Sequence, residues 1–232
     1  MISININEKR FNETVILKDL DFSLNKSEFI SIIGPSGCGK STLLNIISFL
    51  DNDYVGKIKG EFSNISFMFQ DHRLLPWLSV KDNLLLVSKT KDEKEIIDLL
   101  ELIGLENILH EYPNNLSGGM LRRVSLVRAF INKPDLILLD EPFISLDYPT
   151  SQALKKELLA FYNRFKATII LVTHDISEAI LLSNRILFFS KNPAKVLLDF
   201  KNHDNQVFNQ KRNDEIKNKI LEKYPKILEG KL

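Results

Sequence analysis

The apolar pattern of this chain changes period several times. SINI, TVILKDLDFSL and EFISIIG read as short strands with turns between them. EFISII is a continuous apolar run of the kind buried in a sheet. STLLNIISFL follows at helical spacing. From Asp71 to about Lys133, apolar residues recur at i, i+3, i+4 and i+7 in SVKDNLLLV, DEKEIIDLLELIGL and SGGMLRRVSLVRAF. This predicts a helical insert over about 75–133. Pro134 stops the last of these helices, and a buried strand, DLILLD, succeeds it. SQALKKELLAFYNRF, ATIILVTH, DISEAILLS and RILFFS then alternate helix and strand. The alternation predicts an α/β fold, a mostly parallel sheet with helices on both faces. The tail, about 201–232, is polar and closes on DEIKNKILEKYPKIL. Its Ile216, Ile220, Leu221 and Tyr224 share a helical stripe, which predicts an amphipathic helix packed back on the body.

Composition narrows the function classes. The 232 residues, 44% hydrophobic and 26% charged, suit one domain with a subdomain. Net charge is +1, from 31 basic and 30 acidic side chains, so no global field favours nucleic acid, and no nucleic-acid partner is expected. The single cysteine, Cys38, rules out an internal disulfide and fits a reducing compartment. MISININEKR has no apolar core of signal-peptide type, and the apolar runs are too short to cross a bilayer. A cytosolic protein is expected. Work at a membrane needs another chain to supply the span.

GPSGCGKST, Gly34 to Thr42, fills every position of the phosphate-loop pattern G-x-x-x-x-G-K-[ST], with a strand before it and a helix after. Glycines let backbone N–H groups turn inward on phosphate oxygens, and the helix adds its positive end. Gly34, Pro35, Ser36, Gly37, Cys38, Gly39, Lys40, Ser41 and Thr42 are therefore nucleotide-binding candidates. Lys40 supplies a charge to the β- and γ-phosphates, and Ser41 a hydroxyl to Mg²⁺. Cys38 has no base near it in sequence and reads as a small permissive loop residue. Its alkylation is expected to block nucleotide binding.

DLILLDEP ends a buried strand with Asp140 and Glu141. Asp140 is placed to hold Mg²⁺, and Glu141 to polarise a water for in-line attack on the γ-phosphorus. His174 ends another buried strand, ATIILVTH, at the same kind of edge, where contact with the γ-phosphate or Glu141 is plausible beside a mere capping role. Gln70 follows FMF, where the chain leaves the sheet for the helical insert. It is a candidate sensor of Mg²⁺ and the attacking water, although by itself it reads equally as a surface amide. NKPD, Asn132 to Asp135, mimics a guanine-reading motif, but it precedes its strand and Pro134 breaks the helix there, so it reads as a turn. NNLSGGMLRR, Asn114 to Arg123, poses a separate problem: it is a second serine–glycine loop at a helix start, and one nucleotide needs one cradle.

Taken in order, these motifs resemble the ATP-binding subunits of ABC transporters. GPSGCGKST resembles the Walker A motif, Gln70 the Q-loop glutamine, LSGGM at Leu116–Met120 the family signature, and LILLDE the Walker B strand. SLD at Ser145–Asp147 resembles the D-loop, and His174 the switch histidine. Phe11 stands where the family places an adenine-stacking aromatic. The likeness runs from about residue 2 to 200. It implies a P-loop NTPase core with an antiparallel β-subdomain and a helical subdomain, all in a single domain over 1–232. It also implies ATP and Mg²⁺ as cofactors, with Ser41, Gln70 and Asp140 near the metal, and Lys40, Gln70, Glu141 and His174 in catalysis. Ser117, Gly118, Gly119 and Asp147 would meet nucleotide across a subunit boundary, since in this family the signature loop caps the ATP of a second subunit. That resolves the doubled cradle: two copies would sandwich two ATP molecules head to tail.

QDHRLLPWLSVKDNLLL, Gln70 to Leu86, with SGGM in place of SGGQ, is similar to importers of the nitrate, sulfonate and taurine group and to thiamine-precursor systems. The resemblance implies an importer motor on the cytoplasmic face of the plasma membrane. Its implied partners are a second ATPase subunit (an identical copy in the simplest case), membrane permease subunits and a solute-binding protein. Trp77 and Leu74–Leu75 read either as permease contacts or as subdomain core. The alternative is a soluble ABC-type ATPase acting on DNA or ribosomes, a class that usually shows a coiled-coil insertion or two cassettes in one chain. Ser27, where the family usually has a glycine, and Met120 are departures.

Overall fold

The computed structural model describes residues 1–60, 62–203, 206 and 208–232. Contacts divide the chain into two compact units, Met1–Phe62 with Thr168–Leu232, and Ser63–Ala167.

In the first unit, β1 (Ile2–Phe11) and β2 (Thr14–Leu24) form an antiparallel hairpin, and β4 (Val55–Lys59) pairs with the other edge of β1. Ile2, Ile4 and Ile6 are buried while Asn5 and Ser3 are less so, the period of two that holds a strand to one face. β3 (Phe29–Ile33) is flanked in parallel by β7 (Thr168–Thr173) and β8 (Arg185–Phe189), and β9 (Val196–Lys201) closes the edge antiparallel to β8. All five residues of β3 are buried, as a strand with parallel neighbours on both sides requires. α1 (Lys40–Ile47) leaves the loop after β3, and α6 (Ile176–Leu182) follows β7. α7 (Gln210–Lys223) is the expected amphipathic helix. Its Ile220 is buried against Ile33, Ile180 and Phe188, and Ile216, Leu221 and Tyr224 pack on the same cluster.

In the second unit, β5 (Ile65–Met68) and β6 (Leu136–Asp140) pair in parallel. Between them lie α2 (Val80–Val87), α3 (Glu93–Glu101) and α4 (Gly118–Phe130), the helices expected within 75–133, and α5 (Tyr148–Phe165) follows β6. Arg123 of α4 donates to both carboxylate oxygens of Glu157 on α5 and to the carbonyl of Ile103, tying both helices to the turn after α3. Among the described residues no helix is long and apolar enough to cross a membrane.

Candidate active site

In the first unit the glycine loop joins β3 to α1. Gly39, the residue before the helix, has φ of 109°, and a Cβ there would lie 2.7 Å from the side chains of Ile16 and Leu17. Only glycine fits, by conformation and by space. α1 is unlike its neighbours at the N-terminus. Ser79, Asp92, Ser117, Asp147, Asp175 and Asn209 each cap their own helix with a side-chain oxygen. α1 has no side-chain cap and no acid in its first turn. Its first N–H groups and positive end are thus kept for an anion held by the loop, which is the fit a nucleotide's phosphates need. Lys40 is 6% exposed, and its Nζ donates to the carbonyls of Gly34 at 2.7 Å and Pro35 at 3.0 Å. The cation is held inside the loop. Ser36, Gly37 and Ser41 are exposed at its mouth, and Thr42 is half-buried.

The Cys38 side chain is buried in the loop floor, its amide donates to the Pro35 carbonyl, and burial pushes the thiol pKa up despite the nearby Lys40. A buried, protonated thiol is a slow target for alkylation.

Phe11, at the end of β1, is 51% exposed, and Lys9 Nζ lies 4.8 Å from its ring centroid. Lys9 is itself buried and bonded to Asp51 Oδ1 at 2.9 Å and the Asp53 carbonyl at 2.7 Å. His174 is exposed just past β7, between two residues that lock the backbone. Thr173 Oγ1 accepts from the Asp175 amide at 3.1 Å and donates to Glu178, and Asp175 caps α6.

The second unit carries the other candidates. Asp140, at the end of β6, is 8% exposed. Glu141 follows with φ of 45°, a left-handed conformation that costs a non-glycine residue about 1–3 kcal/mol. Ser117 caps α4, its Oγ accepting from the Met120 amide at 3.3 Å, so the hydroxyl proton is left to donate elsewhere. Ser117 and Gly118 are exposed at the helix tip. Gly119 touches the start of α5: a Cβ there would lie 2.5 Å from Thr150 Cγ2. Thr150 donates through its amide and hydroxyl to Asp147, whose carboxyl those bonds hold below its usual pKa. The structure thereby brings the LSGGM and SLD segments into one cluster.

Gln70 is exposed on a loop that α4 holds down. Arg122 donates to the Phe69 carbonyl at 3.1 Å, Ser125 to that of His72 at 3.2 Å, and Arg128 to those of His72 at 2.5 Å and Arg73 at 2.7 Å. Burial, then the charges of Arg122 and Arg128, push the His72 pKa below the usual histidine range. The neutral ring then accepts from the Leu74 amide at 3.1 Å.

A strand–glycine loop–uncapped helix and a serine–glycine helix tip now stand in one chain with a carboxylate pair at a strand end. Residues 17–144, more than half the chain, match the family model described as ABC transporter. The chain belongs to the ABC transporter family. The aliphatic sulfonates import ATP-binding protein SsuB of a Bacillus cereus strain is 39% identical, the match covering 96% of this chain and 95% of that one. The SsuB protein of Bacillus subtilis (strain 168) is also 39% identical, over 84% of this chain and 82% of its own. Among solved structures, the dimeric post-hydrolysis state of the ATP-binding cassette MJ0796 bound to ADP and Pi superposes with a TM-score of 0.73 at 29% identity, covering 87% of this chain and 98% of that one. This ABC chain is an ATPase.

Two sequence readings of the ABC cassette gain a physical reason. NKPD is a turn whose Asn132 and Asp135 side chains are bonded to segments more than forty residues away. Asn132 accepts from the Lys89 amide and donates to the Val87 carbonyl, and Asp135 accepts from the amides of Ser63 and Asn64. Ser27 has φ of 55°, the conformation that favours the glycine usual there. Arg122, Ser125 and Arg128 were missed as site-supporting residues. The available signal was three donors spaced three apart on a helix whose other polar side chain, Arg123, turns to α5. Lys9 carried no local signal.

Proposed function

We propose that this chain is the motor of an importer for a small solute of the sulfonate type, acting as a head-to-tail pair bound to membrane permease subunits at the cytoplasmic face. A solute-binding protein completes the assembly. Near-full-length likeness to proteins named for aliphatic sulfonate import supports the solute class. The observation that carries the motor reading is the pair of helix tips: α1 lacks any side-chain cap beneath a glycine loop, and α4 presents an exposed, serine-capped tip. One tip is built to receive a triphosphate, and the other to cover a triphosphate held by a second chain.

In this reading Lys40 turns from the Gly34 and Pro35 carbonyls to the β- and γ-phosphates, and Phe11 stacks on the adenine. Mg²⁺ supplies charge neutralisation at the phosphates when bound, through Ser41, Asp140 and Gln70. Glu141 accepts the proton of the attacking water, His174 steadies the γ-phosphate edge, and Asp147 lies at the subunit boundary beside Ser117, Gly118 and Gly119. Glu141→Gln keeps the binding groups and removes the base. It should lower hydrolysis by about a hundredfold or more, and trap an ATP-dependent dimer visible by size-exclusion chromatography with light scattering. A monomer at saturating ATP would count against the mechanism.

A further inference from the structure

We propose that the C-terminal turn Ile227–Glu229 with Gly230 braces the phosphate loop, and that Gly230 is a positioning residue for nucleotide binding. The inference rests on residues 34–42 being the nucleotide loop. Ile227, fully buried, and Ile220 sink into a cluster that includes Ile33, the last residue of the strand leading into that loop. The tail is therefore anchored at the loop's base. It then turns at Gly230, whose φ is 76° and whose carbonyl accepts from the Lys191 amide at 3.4 Å. A Cβ on Gly230 would lie 2.4 Å from that amide nitrogen, 2.9 Å from the Ser190 carbonyl carbon and 3.0 Å from Pro35 Cγ. Two of these three are rigid backbone atoms, and the third belongs to a ring. The exit of β8 is equally tight on the loop side: a Cβ on Gly34 would lie 3.0 Å from Phe189 Cβ. Residues 189–191 thus run between Gly34 of the loop and Gly230 of the tail.

Pro35 joins the two sides. Its ring faces Gly230, while its carbonyl accepts from Lys40 Nζ at 3.0 Å and the Cys38 amide at 3.2 Å. The ring of proline includes its Cα, to which the carbonyl carbon is bonded, so displacing the ring displaces the carbonyl that holds the loop's cation. Nucleotide binding redirects that same cation. Tail docking and nucleotide binding therefore act on one residue, and each must influence the other to the same extent.

The test uses the full chain. Gly230→Ala should weaken ADP binding by roughly five- to fiftyfold, the ordinary range of such coupling, and raise KM for ATP more than it lowers kcat. Leu100→Ala, a buried substitution on α3, should lower Tm without the ADP effect. In the wild type, saturating ADP should slow amide hydrogen exchange over residues 227–231. A Gly230→Ala protein with lowered Tm and unchanged ADP affinity overturns the proposal. So does unchanged exchange in that segment, a measurement that stands even where the variant fails to fold. Lys40→Ala separates the two levels: should it bind ADP like the wild type, the loop assignment itself falls, and the brace with it.

Discussion

Cys38 shows how a residue's neighbours outweigh its motif. It lies in the middle of the phosphate loop, yet its sulfur is in the floor, close enough that a Cβ on Gly34 would sit 2.9 Å from Sγ. Burial raises the pKa and lowers the thiolate fraction at neutral pH, and the thiolate is the nucleophile. Native protein should therefore react with iodoacetamide roughly tenfold or more slowly than an exposed thiol, and urea should restore the ordinary rate. Mass spectrometry of Cys38 over time checks this; rapid modification of the folded chain would contradict the buried placement. Lys40 follows the same logic in reverse. A buried cation needs acceptors, and the carbonyls of Gly34 and Pro35 hold its charge inside the loop.

The element that organises the second unit is α4. Its tip presents Ser117 and Gly118, and its length carries Arg122, Ser125 and Arg128, which bind the carbonyls on either side of Gln70. A rigid helix bonded at successive turns to one loop moves that loop when it moves. Arg128→Met removes the donors to His72 and Arg73 and leaves both carbonyls without that partner. We expect a loss of about 1–3 kcal/mol in urea unfolding and a larger fall in kcat than in ATP affinity. Arg128→Lys, with fewer donors on a different geometry, should recover stability only in part. Equal stability of Arg128→Met and wild type would show that the carbonyls are satisfied without it.

For the whole molecule, the decisive proposal is that one chain carries both a loop to hold a triphosphate and a tip to cover one in a second chain. A head-to-tail pair makes each site from two chains. Lys40→Ala and Ser117→Arg should each be nearly inactive alone, and Ser117→Arg should still bind ATP as a single chain. Mixed, they form heterodimers in which one site has both defects and the other has none. Activity should then return to about a quarter of wild type when the copies pair at random. Steady-state ATPase assays of the mixture decide the matter, and no recovery would place the whole site within one chain.

Much of this was legible in the linear chain because it is local. Strand, glycine loop and helix are contiguous from Phe29 to Ile47. A side-chain cap is chosen within a few residues of its helix, and alternating helix and strand follow from the period of apolar positions. Family likeness implied roles for residues such as Gln70 and His174, which are ambiguous one at a time. Edge strands were harder to see. β4 is largely exposed and β9 mostly half-buried, so no buried alternation marks them. Tertiary structure alone decided what depends on distant partners: the buried thiol of Cys38, the hold of Arg122 on Phe69, Lys9 beside Phe11 and Asp51, and Gly230 against Pro35. Backbone conformation is set within a few residues, whereas burial, charge pairing and close approach exist only once folding brings separated segments together.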